Sequence, residues 1–283
     1  MTKSRTKALF NVVNCLMREP RRSFGVLRQL PFIAQGFAFG QEWKSPSNGS
    51  TANSNNGNSA SGNAPNPLRA YFDAHTEGRG IWKWDHYFDV YHRHFSKFIG
   101  RDVHVLEIGV FSGGSLRMWR EYFGERCHIY GIDIEDACKV YEEERTKIFI
   151  GDQADREFWK KIRAEIPDVD IVIDDGGHEV HQQIVTLEEM LPHIRPGGVF
   201  LCEDIHGIAN EFTSYVTGFA AHINSSIMKS NDKVKGVIVS STPYQSEIHS
   251  IHSYPFATVI EKTDKPVDEL ISPKHGTEWQ PFL

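Results

Sequence analysis

The ten residues from Val105 to Gly114, VLEIGVFSGG, constrain the fold of this chain more than any other segment. An apolar strand runs directly into a glycine-rich loop, which is typical of a parallel strand buried on both faces. Glycines at the carboxyl end of such a strand let a ligand approach the backbone more closely than a side chain would permit. The segment therefore predicts a nucleotide-binding loop at the edge of an α/β sheet.

The spacing of the glycines distinguishes between kinds of nucleotide site. A dinucleotide site for NAD or FAD requires G-x-G-x-x-G, whereas here Gly109 is followed by Gly113 and Gly114. With Glu107 ahead of them, the pattern E-x-G-x-x-x-G-G resembles the first motif of class I S-adenosylmethionine-dependent methyltransferases. An ordinary glycine-rich turn between a strand and a helix would look the same in isolation.

Strand and helix patterns alternate along the chain and predict a mostly parallel seven-stranded sheet with helices on both faces. We predict strands at residues 103–108, 128–133, 148–150, 169–174, 198–204, 234–240 and 253–261. We predict helices at residues 82–98, 115–123, 156–165, 180–194 and 210–228. The expected fold class is α/β, of the Rossmann-like class I methyltransferase type.

Composition divides the chain into three segments. Residues 1–44 are basic: through Gly40 they hold seven basic residues and one acidic residue, which leaves about −12 for the remainder of a chain with net charge −6. Residues 45–67 contain only Ser, Asn, Gly, Ala, Thr and Pro, the composition of a flexible linker. Residues 68–283 carry the alternating pattern and form the expected methyltransferase domain.

Charge and cysteine content exclude several classes of protein. The acidic body of the chain is a poor partner for nucleic acid, and no apolar run reaches the roughly 18 to 20 residues that cross a bilayer. Four cysteines without a C-x-x-C pair or metal-ligand spacing indicate reduced thiols and a cytoplasmic protein. The oligomeric state stays open.

The basic amino-terminal segment has an apolar pattern of its own. Leu9, Val12, Val13 and Leu16 have helical spacing, and a second apolar stretch covers residues 24–39. Such a segment suits the surface of an anionic membrane, or it packs on its own domain or on a partner subunit. An organellar transit peptide fits less well, because the segment has few serines.

Acidic residues follow the predicted strands at the edge where ligands bind in this fold. Asp133, after the second strand, can accept both ribose hydroxyls of an adenosine, or it can cap a helix. Asp152 and Gln153 follow the third strand, where adenine would lie, although a turn or helix N-cap would have the same sequence. The residues expected to bind S-adenosylmethionine are Glu107, Gly109, Ser112, Gly113, Asp133, Asp152, Gln153 and Asp174.

Four acidic residues and a histidine follow the fourth and fifth strands. Asp174, Asp175 and His178 end one strand, and Glu203 and Asp204 end its neighbour. Carboxylates brought together repel one another unless a cation neutralises them, and an oxygen-lined site with open positions suits Mg²⁺. We predict Asp175, Glu203 and Asp204 as the metal ligands. His178 is the predicted general base, because a histidine can take a proton from a metal-acidified hydroxyl; otherwise these acids cap helices and His178 packs against them.

Seven further motifs together resemble the macrocin and mycinamicin sugar O-methyltransferase family, with the cephalosporin-hydroxylase-like proteins as near relatives. They are WKWDHYFDVYHRHF (82–95), SLRMW (115–119), YGIDI (130–134), GDQAD (151–155), IVIDDGGH (171–178), LPHIRPGGVFLCED (191–204) and IHSIHSYPFATVIEK (248–262). The resemblance covers residues 75–262. It implies S-adenosylmethionine over the glycine loop, Mg²⁺ held by the acids of D-D-G-x-H and E-D, and a sugar-like small-molecule acceptor. It assigns the metal to Asp175, Glu203 and Asp204 and the base to His178.

Two departures limit what the resemblance implies. Gly177 replaces the serine of the family's D-D-G-S-H, which removes a hydroxyl near the base and leaves the metal ligands unchanged. The larger amino-terminal domain of the macrolide enzymes has no counterpart in this chain, so neither a macrolide substrate nor their mode of assembly follows.

Two alternative functions remain, and two groups of side chains have an open role. A metal-independent methyltransferase acting on another small molecule would use the same glycine loop. A non-enzymatic nucleoside-binding protein at a membrane would explain the basic amino terminus.

His249 and His252 either line the acceptor side of the site or pack at the sheet edge. Trp82, Trp84 and Tyr87 either cover the ligands or belong to the core.

Overall fold

The structure is a computed structural model that describes residues 20–42, 65–207, 210–224, 229–231 and 236–278. The chain divides into two units, Met1–Gly62 and Asn63–Leu283. The helical spacing at residues 9–16 and most of the predicted linker lie outside the described residues. The first unit contains helix α1 (Pro20–Gln41). Within the described ranges, no helix combines the length and the apolarity needed to cross a membrane.

A seven-stranded sheet forms the centre of the second unit. Five of its strands are parallel: β1 (His104–Ile108), β2 (His128–Asp133), β3 (Thr146–Ile150), β4 (Val169–Asp174) and β5 (Ile194–Cys202). An antiparallel hairpin of β8 (Ile248–Tyr254) and β9 (Ala257–Lys262) completes it, in the order β3-β2-β1-β4-β5-β9-β8. The strand order reverses between β1 and β4, the place where open α/β sheets bind ligands.

Helices cover both faces of this sheet. Successive strand residues point to opposite faces, and Val105 and Leu106 accordingly belong to two different hydrophobic clusters. One cluster includes α2 (Pro67–Ala74), α3 (Tyr87–Phe95) and α4 (Gly114–Phe123). The other includes α5 (Arg156–Glu165), α6 (Val180–Met190) and α7 (Glu211–Ala221). The expected mostly parallel α/β fold is confirmed.

A second, three-stranded antiparallel sheet lies in the carboxyl-terminal part of the chain. It consists of β6 (Lys229–Asn231), β7 (Gly236–Ser240) and β10 (Glu269–Pro273), in the order β10-β7-β6. The prediction that residues 234–240 contribute a strand to the main sheet is therefore wrong. Strand β7 pairs with β6 and β10 instead, and β8 takes the seventh place, after the short helix α8 (Pro243–Glu247).

The single strand predicted at residues 253–261 is also wrong, because a tight turn divides it. Tyr254 pairs with Ala257, and Phe256 between them has a left-handed backbone with φ 62°. A Pro-Phe turn lacks the glycine or asparagine that announces most hairpins, so the sequence gives little warning of it. Other boundaries differ less: the helices predicted at 82–98 and 180–194 are α3 and α6, each followed by a 3₁₀ turn.

Candidate active site

The predicted site residues meet at a cavity of about 860 Å³. Its lining includes residues at the carboxyl ends of all five parallel strands: Gly109, Asp133, Gly151, Asp175 and Glu203. Small-molecule sites in proteins commonly measure roughly 300 to 1,000 Å³. The cavity is therefore large enough for a nucleoside cofactor together with part of an acceptor.

Most of the predicted residues line this cavity, and three lie behind its surface. Those on the lining are Gly109, Ser112, Asp133, Asp152, Gln153, Asp175, His178, Glu203 and Asp204. Glu107, Gly113 and Asp174 are not on it. Direct contact of these three residues with a cofactor stays a prediction; in the structure each of them contacts a neighbouring part of the protein.

The glycine loop is shaped by contacts inside the protein. Gly109 has φ +91°, and a Cβ there would lie 2.0 Å from the carbonyl oxygen of Asp175. Gly113 has φ +71°, and a Cβ there would lie 2.8 Å from the ring of Tyr141. Gly109 thus lets the loop after β1 pass against the end of β4, and Gly113 lets the same loop pass against Tyr141.

Asp133 holds the glycine loop from the end of β2. Its Oδ2 accepts hydrogen bonds from the backbone N–H groups of Val110 and Phe111, both at 2.9 Å, and its Oδ1 accepts from Glu135 at 3.0 Å. Burial alone would raise the pKa of Asp133, but these backbone donors outweigh it and the pKa is lowered. Asp133 is thus a carboxylate beside the cavity, at the place predicted for the ribose.

Two buried acids support the site from behind. Glu107 accepts a hydrogen bond from the Ser115 hydroxyl at 2.8 Å, and Asp174 accepts one from the Gln153 amide at 3.0 Å. Burial raises the pKa of Glu107 and raises that of Asp174 to about 6. Among the described residues, neither Glu107 Oε1 nor Asp174 Oδ2 has a hydrogen-bond partner, although both are buried. The site therefore contains buried carboxyl oxygens that a nearby positive charge would stabilise.

Asp175, His178 and Asp204 form an acid–histidine cluster. Their potential ligand atoms lie within 4.8 Å of one another, and His178 Nε2 is 3.7 Å from Asp204 Oδ2. His178 has φ 59° and Asp204 φ 55°, left-handed conformations that cost a non-glycine residue about 1–3 kcal/mol each. Two carboxylates and an imidazole are a donor set that accepts a divalent cation.

Glu203 has different neighbours from the other predicted metal ligands. Its side chain is only 1% exposed; Oε1 accepts a hydrogen bond from the Tyr91 hydroxyl at 2.7 Å, and Oε2 lies 3.1 Å from Lys83 Nζ. Burial raises the pKa of Glu203, and the charge of Lys83 offsets only part of that rise, so the net shift is upward. Within the described residues, Glu203 is not part of the acid–histidine cluster, so its role as a metal ligand stays a prediction.

Sequence reasoning missed Lys83. Its Nζ lies 2.5 Å from Asp175 Oδ2 and 3.7 Å from Glu107 Oε1, and its side chain is 3% exposed. Burial alone would lower the pKa of Lys83. The negative charges of Asp175, Glu203 and Glu107 raise this pKa by more than burial lowers it, so the net shift is upward. Two sequence features could have indicated its role. The acids at neighbouring strand ends need a positive charge close to them, and Lys83 is the lysine of the W-K-W sequence.

Aromatic residues before and within α3 cover the acid–histidine cluster. Trp84 Nε1 donates to Asp204 Oδ1 at 2.9 Å, and the Tyr87 hydroxyl accepts from the Asp204 backbone N–H at 3.1 Å. Both side chains and that of Trp82 line the cavity. His249 and His252 do not; His252 lies at the sheet edge, with its ring centroid 4.8 Å from that of His94.

The departure from the family motif at Gly177 has a local explanation. A Cβ at Gly177 would lie 2.3 Å from Gln182 Oε1. The side chain of Gln182 is held in a capping box with Glu179 at the start of α6. A serine at this position would therefore require Gln182 to give up its cap.

Residues 106–205 match the family model for a methyltransferase domain. The match begins within β1 and extends past β5, so it contains the glycine loop and the acid–histidine cluster. Over these residues the chain carries a methyltransferase domain. Its mostly parallel seven-stranded sheet agrees with the fold that the sequence predicted.

The methyltransferase domain resembles the macrocin and mycinamicin sugar O-methyltransferases. It is 40% identical over 136 residues to demethylmacrocin O-methyltransferase of Streptomyces fradiae, covering 46% of this chain and 32% of that protein. It is 41% identical over 136 residues to mycinamicin VI 2''-O-methyltransferase of Micromonospora griseorubida, with coverages of 46% and 32%. It is 30% identical over 205 residues to 8-demethyl-8-alpha-L-rhamnosyl tetracenomycin-C 2'-O-methyltransferase of Streptomyces olivaceus, with coverages of 65% and 52%.

A solved structure shows the same architecture. The MycE methyltransferase of the mycinamycin biosynthetic pathway, in complex with Mg and SAH, has a TM-score of 0.56 and 28% identity, covering 71% of this chain and 55% of that one. The present chain spans about a third to a half of the length of the curated relatives it matches. The shared region is thus the methyltransferase domain, whose predicted resemblance is confirmed.

Proposed function

We propose that this protein is a Mg²⁺-dependent O-methyltransferase that transfers the methyl group of S-adenosylmethionine to a hydroxyl of a sugar-like or diol-containing small molecule. One observation carries the proposal. The glycine loop after β1 and the acid–histidine cluster after β4 and β5 face the same cavity, so a methyl donor and a hydroxyl acceptor can meet there.

The cavity fits S-adenosylmethionine at its glycine-loop side. Gly109 leaves no room for a side chain, and Ser112, Asp133, Asp152 and Gln153 add polar groups to the lining. We assign Asp133 to the ribose and Asp152 to the adenine side. Gln153 also donates to Asp174 and accepts from the Gly177 backbone N–H at 2.8 Å, so it links the two sides of the site. The complex of MycE with Mg and SAH supports S-adenosylmethionine as the cofactor.

The acid–histidine cluster fits a divalent cation. Asp175 and Asp204 would hold it through carboxylate oxygens, with Glu203 as the further predicted ligand. When bound, S-adenosylmethionine would supply the methyl group, and Mg²⁺ would acidify a chelated hydroxyl.

His178 takes the hydroxyl proton on its ring nitrogen in the proposed reaction. The Asp204 carboxylate, 3.7 Å from Nε2, stabilises the charge that the ring gains. Trp84 and Tyr87 fix Asp204 through hydrogen bonds, so the base and its carboxylate stay in place. Trp82, 88% exposed on the cavity lining, is available to contact the acceptor. Positioning of this kind accounts for much of the rate enhancement in group transfer.

The relatives support a sugar hydroxyl as acceptor, because their names place the methyl group on 2''- and 2'-oxygens of glycosylated compounds. The test is formation of methylated product and demethylated cofactor from S-adenosylmethionine and a panel of glycosides with free vicinal hydroxyls. We expect turnover that EDTA abolishes and Mg²⁺ restores. Absence of S-adenosylhomocysteine binding at millimolar concentration by calorimetry would contradict the proposal.

A metal-independent methyltransferase is the second candidate. Lys83 already places a positive charge on Asp175 and Glu203, so these acids do not depend on a metal for neutralisation. Turnover that EDTA leaves unchanged would favour this candidate over the first.

We further propose that the amino-terminal unit binds the surface of an anionic membrane, with the protein on its cytoplasmic side. Helix α1 exposes Val26, Leu30, Ile33 and Phe37, which share one face at helical spacing. Basic residues outnumber acidic ones seven to one through Gly40. An exposed apolar face combined with a basic sequence matches anionic lipid.

A further inference from the structure

Lys83 places a buried ammonium group among three carboxylates. Its Nζ lies 2.5 Å from Asp175 Oδ2, 3.1 Å from Glu203 Oε2 and 3.7 Å from Glu107 Oε1. In the part of the chain that the structure describes, no other lysine or arginine pairs with Glu107, Asp175 or Glu203. The ammonium therefore supplies the positive charge that these buried groups need.

The position of Lys83 joins the two sides of the proposed site. Glu107 lies behind the glycine loop, whereas Asp175 and Glu203 follow β4 and β5. Lys83 comes from a segment that precedes the whole sheet, 92 residues before Asp175 and 120 before Glu203. Lys83 thus connects the segment before α3 to Glu107 behind the glycine loop and to Asp175 and Glu203 at the ends of β4 and β5.

The ammonium contacts two of the three acids that are predicted to hold a divalent cation, Asp175 and Glu203. Asp175 Oδ2 is its nearest neighbour, and both oxygens of Glu203 lie within 3.3 Å of Nζ. Two cations a few ångströms apart repel strongly where water is excluded. A metal ion on these oxygens and the ammonium in its present place are therefore mutually unfavourable.

We propose that Lys83 is a positioning residue that acts as the resident cation of the site: it holds Asp175 and Glu203 together in the metal-free protein and is displaced when a divalent cation binds. This inference rests on the proposed divalent-cation site. Metal affinity is then set by competition with a side chain of the protein itself, and the site keeps its shape without metal.

The test is calorimetric titration of MgCl₂ into the full-length wild-type protein and the Lys83→Met variant. We expect the variant to bind Mg²⁺ about ten-fold more tightly, because no ammonium competes for the oxygens. In EDTA we expect its Tm to lie below that of the wild type and to rise more on addition of Mg²⁺, since its carboxylates are then unpaired. Lys83→Arg retains the charge and should resemble the wild type in both measurements.

Lys97→Met is the matched control, because Lys97 pairs with Glu261 at 3.4 Å, away from the cavity. It should not change Mg²⁺ affinity. Equal or weaker binding of Mg²⁺ by Lys83→Met than by the wild type would overturn the inference. If neither protein binds Mg²⁺, the proposed metal site itself is wrong, so the two failures are distinguishable.

A measurement on the wild type keeps the inference testable should Lys83→Met fail to fold. In protein labelled with ¹³C-lysine, the Lys83 side-chain resonance can be assigned by comparison with Lys83→Arg. We expect this resonance to shift as Mg²⁺ saturates the site. An unchanged Lys83 resonance at saturation would overturn the displacement.

Discussion

His178 combines a functional position with a strained backbone. Its φ of 59° and its place 3.7 Å from Asp204 indicate that the fold maintains this geometry against a local cost. The strain is understandable if the ring must face the cavity and not pack into the protein. Asp204 also has a left-handed backbone, with φ 55°. The segments that follow β4 and β5 therefore each contain one strained residue of the acid–histidine cluster.

Replacement of His178 by glutamine should remove the proposed base while leaving the glycine loop intact. We expect His178→Gln to lower kcat by about 10²- to 10⁴-fold with little change in S-adenosylhomocysteine affinity. Initial rates and calorimetry measure the two quantities. His181→Gln is the control, because His181 is exposed and does not line the cavity. Normal turnover in His178→Gln would show that another group takes the proton.

Gly109 has a structural requirement that is separable from ligand binding. A Cβ at Gly109 would meet the Asp175 carbonyl oxygen at 2.0 Å, in addition to the cost of φ +91°. We expect Gly109→Ala to reduce the free energy of unfolding by about 3 kcal/mol or more. Gly100 has φ +72° but no atom within 4 Å of its Cβ position, so Gly100→Ala should cost only about 1 kcal/mol. Equal losses in urea denaturation would refute the backbone contact as the cause.

The residues of the site were predictable to different degrees for a physical reason. Asp175, His178 and Asp204 follow neighbouring parallel strands, and the carboxyl ends of such strands meet at one edge of the sheet. Lys83 precedes the sheet and reaches the site through tertiary packing, which no local spacing encodes. The orientation of Glu107 was also not predictable. Its place two residues before Gly109 predicts that it lies close to the cofactor side of the site, but not whether its side chain faces the cavity.

At the scale of elements, helix α3 connects the amino-terminal side of the domain to the acids of the sheet. Tyr87, Tyr91 and His94 have the spacing of one helix face and contact Asp204, Glu203 and Glu261 respectively. The aromatic pattern of this helix therefore has two purposes. It fills the core, as the spacing predicts, and it directs hydroxyl and imidazole groups towards strand ends.

Tyr91 tests the contribution of this helix. Tyr91→Phe removes the hydroxyl that donates to Glu203 Oε1 at 2.7 Å, and we expect a loss of about 2 kcal/mol because the acceptor is a buried charged group. Tyr122→Phe is the control, since the Tyr122 hydroxyl pairs with His92 in a half-buried position at 2.8 Å. Its loss should stay below about 1 kcal/mol. Equal losses in urea denaturation would mean that the hydrogen bond from Tyr91 stabilises the protein no more than that from Tyr122.

Sequence patterns located buried elements better than peripheral ones. Strands β2 and β4 and helix α5 begin and end where predicted, because apolar runs and an N-cap at Asp155 mark their limits. The hairpin of β8 and β9 was missed because its turn has no glycine. The sheet of β6, β7 and β10 was missed in part because its central strand, β7, pairs with β10, which lies far along the chain.

At the scale of the whole molecule, the domain and the amino-terminal unit are chemically distinct. The methyltransferase domain is acidic and supplies the proposed chemistry, whereas residues 1–44 are basic and include the exposed apolar side chains of α1. A basic, apolar unit becomes useful where the acceptor, or the protein that makes it, is located at a membrane.

Membrane binding by α1 can be tested on the full-length chain by sedimentation with lipid vesicles. We expect the protein to pellet with vesicles containing phosphatidylserine, not with phosphatidylcholine alone, and to be released at about 0.5 M salt because charge attraction is screened. Leu30→Ser, Ile33→Ser and Phe37→Ser combined should weaken binding without changing net charge, which separates apolar insertion from charge attraction. Leu270→Ser and Ile271→Ser, exposed on β10, form the control. Failure of the wild type to pellet with anionic vesicles would leave α1 as a surface for a protein partner.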